Sequence, residues 1–281
     1  MGAGLDHRAV VVVGAAGGLG AAAARRLARE GARLVLADAD EAGIRRLAVE
    51  LGPVARFVAA TTVDVADWDS VAALARYAES RIGPVDAVVN CAAVLSPGRF
   101  DALPPETLRA EVEVNLVGTM LLTRAFLPGF RARRCGHFVH FASLGGIAPM
   151  PRGAVYSATK FGVRGFCLAM DLELRGSGVR VTALSPDSAV TPMLAREAAG
   201  AGSPLSFAGH LLHPDEVAAA LVRALRRPVP EVMVPAVRGW LTRLVNLSPR
   251  LMAAIYPWLS HDGERGRHRF LRRLVAQMPA H

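Results

Sequence analysis

Arg8-Ala-Val-Val-Val-Val13, Gly14-Ala-Ala-Gly-Gly-Leu-Gly20 and Ala21-Ala-Ala-Ala-Arg-Arg-Leu-Ala-Arg-Glu30 follow one another without a break, and their reading decides the fold. The first segment is a short β-branched run of the kind that forms a parallel strand buried on both faces. The last is a strong helix former. Between them, glycines permit a tight turn and close backbone approach, and the helix N-terminus is left facing a bound pyrophosphate. Strand, glycine turn and helix in this order predict a dinucleotide-binding unit, where a glycine cluster alone reads only as a turn. The spacing fits Gly-x-x-x-Gly-x-Gly (Gly14, Gly18, Gly20) and, through Gly17, also Gly-x-x-Gly-x-x-Gly.

Working outward, Ala32–Ala37 is a second strand that ends on Asp38. An acidic residue about twenty positions after the glycine turn hydrogen-bonds both adenosine ribose hydroxyls and repels a 2′-phosphate. Ala39 and Asp40 follow in place of arginine, so the reading favours NAD over NADP. The plainer alternative is that Asp38 or Asp40 caps the next helix. Phe57–Val63, Val85–Asn90, His137–Phe141, Gly178–Leu184 and Glu231–Pro235 are five further strands, separated by helical stretches. About seven strands alternating with helices predict a parallel, doubly wound α/β sheet. Ligands then bind beyond the C-terminal strand ends, where Gly14, Asp38, Asn90 and Ser143 fall. Asn115 sits inside the predicted helix 105–131, where its amide competes for backbone groups, which suggests a role of its own.

Ser143–Lys160 carries the chain's only lysine, against 32 arginines. Lysine is a compact charge whose acidity is tunable, unlike arginine. Tyr156 precedes Lys160 by four residues, which places both side chains on one helical face.

Composition narrows the classes. The chain has 281 residues, 52% of them apolar, enough for one large α/β domain. No run is long enough for a membrane span, and the first residues lack a signal peptide's apolar core, so a cytoplasmic location is expected. Cys91, Cys135 and Cys167 show neither a disulfide framework nor a metal pattern. The net charge of +9 invites a nucleic-acid partner. From Arg238 onward, however, eight arginines face only Asp262 and Glu264, a net +6, and no nucleic-acid-binding motif accompanies them. No nucleic acid is expected.

Taken together, Gly14-x-x-x-Gly18-x-Gly20, Asp38, Asp64-Val65, Asn90-Cys-Ala-Ala93, Asn115, Ser143, Tyr156-x-x-x-Lys160 and Pro186…Thr191 resemble the short-chain dehydrogenase/reductase family over roughly residues 7–236. The resemblance implies a Rossmann-type fold and a catalytic set of Asn115, Ser143, Tyr156 and Lys160. It implies cofactor contacts from Gly14, Gly17, Gly18, Leu19, Gly20, Asp38, Asp64, Val65, Asn90, Ala92, Tyr156, Lys160, Pro186, Ala189 and Thr191. It also implies a homodimer or homotetramer, with the small-residue helix after Lys160 at an interface. A tyrosinate would take the alcohol proton as hydride leaves. Bringing tyrosine from near 10 to near 7 requires ~4 kcal/mol, about what an ammonium ~4 Å away supplies at an effective dielectric of ~20. Ser143 would hold the substrate oxygen, and Asn115 would steady a water leading from Lys160 to solvent. Three departures stand out: Val13 where threonine is usual, Cys91-Ala92-Ala93 for Asn-Ala-Gly, and Asp187 for glycine after Pro186. The longer epimerase branch shares Tyr-x-x-x-Lys but adds a C-terminal domain for which this chain has no room.

The expected substrate is a lipophilic secondary alcohol or ketone, steroid- or fatty-alcohol-like, with Ser143, Leu144, Met150, Tyr156 and Met193 touching it and Ile147, Leu194 and Phe207 nearby. A ketoacyl- or quinone-type reductase is the rival reading, and an idle NAD-binding scaffold the rival from outside enzymology. Residues 191–212, rich in Ala, Gly, Ser and Pro, read as a mobile loop over the site. Residues 1–236 form the nucleotide-binding domain and 237–281 a helical basic extension. In that extension Trp240, Leu241, Leu244 and Val245 share a stripe. It reads either as a membrane-surface anchor or cover for a greasy site, or as an ordinary packed helix.

Overall fold

A computed structural model describes residues 4–276. Seven parallel strands form one sheet, β1 (Ala9–Val13), β2 (Arg33–Asp38), β3 (Phe57–Thr62), β4 (Ala87–Asn90), β5 (Gly136–Phe141), β6 (Val179–Pro186) and β7 (Glu231–Val234), in the spatial order β3-β2-β1-β4-β5-β6-β7. The order reverses between β1 and β4, which are paired from Val10↔Ala87 to Val13↔Asn90. All five residues of β1 are buried because the strand has helices on both sides. The alternation of the pleat sorts them: Val10 and Val12 pack with one helical layer, Val11 and Val13 with the other.

The first layer holds α1 (Gly18–Arg29), α2 (Glu41–Leu51) and α8 (Pro214–Arg226), through Leu27, Ile44, Leu47 and Leu221. The second holds α3 (Trp68–Ile82), α5 (Gly118–Arg133) and α6 (Ala154–Glu173), through Leu74, Phe126, Phe130 and Val163. Several helices start where a side chain satisfies their free N–H groups. Asp40 accepts from Gly43 N at 2.9 Å and Asp67 from Ser70 N at 2.8 Å. The helix cap thus falls to Asp40 and leaves Asp38 outside it.

The helix predicted over 105–131 is three segments. α4 (Pro105–Val112) passes into a π-helical turn, Glu113–Val117, before α5 begins. Asn115 lies in that turn, buried, with every side-chain group engaged. Its Oδ1 accepts from Val94 N at 2.8 Å, and its Nδ2 donates to Val94 O and Thr159 Oγ1. A side chain that ties down a neighbouring loop accounts for a residue that ordinary helix propensity disfavours.

Residues 191–212 are more structured than their composition suggests. They contain α7 (Pro192–Ala199) and a 3-10 turn, Pro204–Phe207. The C-terminal extension forms α9 (Ala236–Asn246) and α10 (Pro249–Ala276). α10 lies directly on the loop's backbone. A Cβ added at Gly263 would come within 2.0 Å of Pro204 O, and one at Gly266 within 2.0 Å of Phe207 O. Arg267 donates to Ala198 O at 2.8 Å and Gly200 O at 2.6 Å, and Phe270 packs on Phe207 with ring centroids 5.8 Å apart. The second half of α10 is packed, while Trp240, Leu241 and Leu244 on α9, Leu247 after it and Trp258 in the first half of α10 remain exposed.

Candidate active site

A cavity of about 600 Å³ opens at the C-terminal strand ends, where the sheet order reverses. Gly14, Gly17, Gly18, Leu19 and Gly20 line one part of it, with Asp38, Asp64, Val65 and Ala92. Gly14 has φ +72°, and a side chain there would strike Ala92 N at 2.4 Å. The turn therefore sits against the backbone after β4. α1 starts at Gly17 with no side-chain cap and no acidic residue in its first turn, so its N–H groups and positive end are free for an anion. Asp38 Oδ2 accepts from Ala16 N at 2.9 Å and Oδ1 from Asp40 N at 3.0 Å. These bonds fix the carboxylate beside the turn. An uncapped helix end, a glycine cradle that a Cβ would fill and a fixed acidic group fit a dinucleotide.

Pro186, Ala189 and Thr191 line the same cavity. Thr191 caps α7, and the departure Asp187 has a partner of its own, Arg238 Nε at 2.7 Å. Arginine from the extension thus reaches the end of β6.

Ser143 stands two residues beyond the end of β5, its Oγ accepting from Gly145 N at 3.0 Å. Tyr156 and Lys160 are one turn apart on α6, and all three line the cavity. Lys160 is only 2% exposed. Its Nζ donates to Phe141 O at 2.7 Å and lies 5.6 Å from the centroid of the Tyr156 ring. Burial disfavours its charge and pulls its pKa down to about 8.

Tyr156 runs against expectation. Its pKa is pushed up to about 12, first by burial. A hydrogen bond with Ser143 pulls it back, while the carboxylates of Glu197 and Glu111 push it further up. The predicted fall toward 7 is not what the protein alone produces. Desolvation of the phenolate outweighs its favourable contacts, and Lys160 directs its proton at Phe141 O.

Other expected contacts lie outside the cavity lining. Asn90 is buried beneath it, with Oδ1 accepting from Ala92 N at 3.1 Å and Nδ2 donating to Thr119 Oγ1 at 3.0 Å. It shapes the chain that touches the ligand rather than touching it. Asn115 is likewise buried, holding Val94 and Thr159. Leu144 and Ile147 are core residues, and Phe207 is sealed under Phe270. Met150 and Met193 do line the cavity. Sequence reasoning missed Leu95, Glu197 and Ser206 in that lining. Glu197 gave no signal because one acidic residue on a short helix reads as solvent-facing. Its burial comes from the fold of the following segment, where Gly202, Ser203 and Ser206 close against it.

The short chain dehydrogenase family model matches residues 8–201. The 1-deoxy-11-beta-hydroxypentalenate dehydrogenase of Streptomyces exfoliatus is 39% identical over 193 residues, covering 68% of this chain and 70% of that protein. Among solved structures, a point variant of the actinorhodin polyketide ketoreductase with NADPH superposes with a TM-score of 0.75 at 30% identity, over 81% of this chain and 95% of that one. A metagenomic short-chain oxidoreductase in complex with NADP gives 0.70 at 30% identity, over 82% and 97%.

Proposed function

Since the chain belongs to the short-chain dehydrogenase/reductase family, and so is an oxidoreductase acting on hydroxyl and ketone groups, we propose that it interconverts a secondary alcohol and a ketone on a predominantly apolar skeleton, with NAD as cofactor. One observation carries the reading: Ser143, Tyr156 and a fully buried Lys160 share a cavity with the glycine cradle and Asp38. A nicotinamide dinucleotide would be held by Gly14, Gly18, Gly20, Asp38 and Thr191 and would supply the hydride acceptor or donor.

The chain's own groups handle the proton. Ser143 Oγ–H donates to the substrate oxygen, and Tyr156 Oη exchanges a proton with it. Lys160, whose proton is already loosened by burial, provides positive charge on the Tyr156 ring and a route for the proton away from it. Tyr156 on its own is too weak an acid to ionise near neutrality. Its ionisation would therefore need positive charge beyond that of Lys160, which a bound oxidised cofactor would supply. Val94, Leu95, Met150, Met193 and Leu194 give the cavity its apolar wall.

NAD is inferred from Asp38, whose fixed carboxylate repels a 2′-phosphate; the two structural neighbours carry NADPH and NADP. Titration of the protein's fluorescence with NADH and NADPH tests this, and tighter NADPH binding refutes it. In this reading α10 braces the substrate loop. The exposed Trp240, Leu241, Leu244 and Trp258 beside Arg243 and Arg250 support contact with an anionic membrane surface. Exposed Phe161 and Leu172 on α6 support a homodimer or homotetramer. Among the described residues no helix is long and apolar enough to cross a membrane.

A further inference from the structure

Among the charged groups lining the cavity, Glu197 is buried and takes no part in alcohol oxidation, whereas its neighbour Arg196 is exposed. Glu197 on α7 is 5% exposed and lines the cavity together with Tyr156, Met150, Met193 and Ser206. Its Oε1 is well held, accepting from Ser206 Oγ at 2.6 Å and from Ser203 N at 3.2 Å. Among the described residues, Oε2 accepts no hydrogen bond, and no cation lies within 4 Å of either oxygen. Arg267 is the arginine that acts on it electrostatically, yet its Nε and Nη2 donate to Ala198 O and Gly200 O, and its Nη1 lies 3.8 Å from Glu264 Oε2.

A mostly buried carboxylate with one oxygen left without a protein partner is costly to retain beside apolar side chains such as Met150, Met193 and Leu95. Solvation by its two serine partners covers Oε1 alone. Glu197 lines the cavity that the substrate would enter, and its charge disfavours the phenolate of Tyr156.

Resting on the alcohol-oxidoreductase reading, we propose that Glu197 is the substrate-recognition carboxylate of this site. It binds a hydrogen-bond donor, an ammonium or a second hydroxyl, carried on the apolar skeleton away from the reacting carbon. Substrates are therefore amino alcohols or diols, and the ketones derived from them, and not carboxylate-bearing or phosphorylated compounds. The apolar wall selects the skeleton and Glu197 fixes which end enters first. An anion at the same place would meet a like charge that Arg267, the weakest of the influences on Glu197, offsets only in part.

The test uses a decalinol and its amino, hydroxy and carboxy derivatives, each substituted on the ring that does not react. Oxidation by the full-length protein is followed as reduced nicotinamide formation. Binding is measured calorimetrically with NAD-loaded Tyr156→Phe protein. The expected order of affinity is amino, hydroxy, unsubstituted, carboxy, with at least about tenfold between the amino and unsubstituted members, the scale of a hydrogen bond to a charged group. Glu197→Gln keeps the Oε1 acceptor for Ser203 and Ser206. It should reduce that ratio to under about threefold and admit the carboxy member.

Equal affinity across the series, a carboxy preference, binding of none, or an order unchanged in Glu197→Gln overturns the proposal. The wild-type order alone is decisive should the variant fail to fold. Binding in the expected order without turnover refutes alcohol oxidation and leaves the role of Glu197 standing. Turnover without that order does the reverse.

Discussion

Tyr156 and Lys160 have opposite problems at the same depth. Burial raises the tyrosine to about 12 and lowers the lysine to about 8, so each is held toward its neutral form. Tyr156→Phe removes the proton carrier and should lower kcat/KM by about 10²–10⁴-fold, measured as nicotinamide absorbance against alcohol concentration. Lys160 makes a claim about stability with a definite sign. Its folded-state pKa lies below the ordinary 10.5, so between about pH 8 and 10.5 the unfolded chain binds the extra proton. Unfolding free energy should therefore rise with pH across that window, by about 3 kcal/mol at most for a shift of this size. Urea titrations at pH 7.5, 9 and 10, with Lys160→Met as the reference, check it. A wild-type curve parallel to the variant's would refute the burial argument. Of these residues the sequence shows the identities but not the states. The lone lysine and its spacing from Tyr156 are visible in one dimension, whereas desolvation depends on what α6 is pressed against. Glu197 is the opposite case: its chemistry is plain and its location is not.

Elements were legible where periodicity or chemistry marks them. The strands follow from β-branched runs, and α1 from the glycine turn. The break in the helix at Asn115 was visible only as an ill-suited residue, because a π-helical turn of five residues leaves no period of its own in the sequence. The helix and turn within residues 191–212 are hidden for a related reason: Ala, Gly, Ser and Pro dominate the composition, while the contacts to α10 come from residues such as Arg267, 67 and 69 positions along the chain from Gly200 and Ala198. Gly263 and Gly266 are the contact points, since any side chain there would strike loop carbonyls. Gly266→Val should weaken folding by about 1–3 kcal/mol, the range for overpacking a close contact. It should also raise KM for alcohol more than it lowers kcat, since Glu197 and Met193 ride on the displaced segment. Chemical denaturation and steady-state kinetics on the same preparation separate the two effects. An unchanged KM would detach α10 from the site.

On the scale of the whole molecule, charge and apolar surface are concentrated at one end. The +9 of the chain owes most to the residues after Arg238, and the exposed tryptophans Trp240 and Trp258 lie in the same region. Co-sedimentation with vesicles of anionic lipid should deplete the protein from solution at low salt. The effect should weaken as salt rises and the Debye length shortens from ~10 Å at 0.1 M. Retention in the supernatant at low salt rules the contact out. The sheet order itself was implicit in the alternation of strand and helix, which leaves few topologies once crossovers are right-handed. The packing of the C-terminal end was not implicit, because two helices with one apolar stripe each can be satisfied by the protein, by a neighbour or by lipid.

The close seat of α10 on the 191–212 segment has a consequence for how the native state opens. Amides in α7 and in the Pro204–Phe207 turn cannot reach solvent freely while Arg267 holds Ala198 O and Gly200 O and Phe270 covers Phe207. Loop and helix should therefore exchange hydrogen for deuterium as one cooperative unit with a shared opening free energy, below that of the β-sheet. Exchange followed by mass spectrometry would report this directly: peptides spanning 192–207 and 260–272 should gain mass in step, and Gly266→Val should speed both.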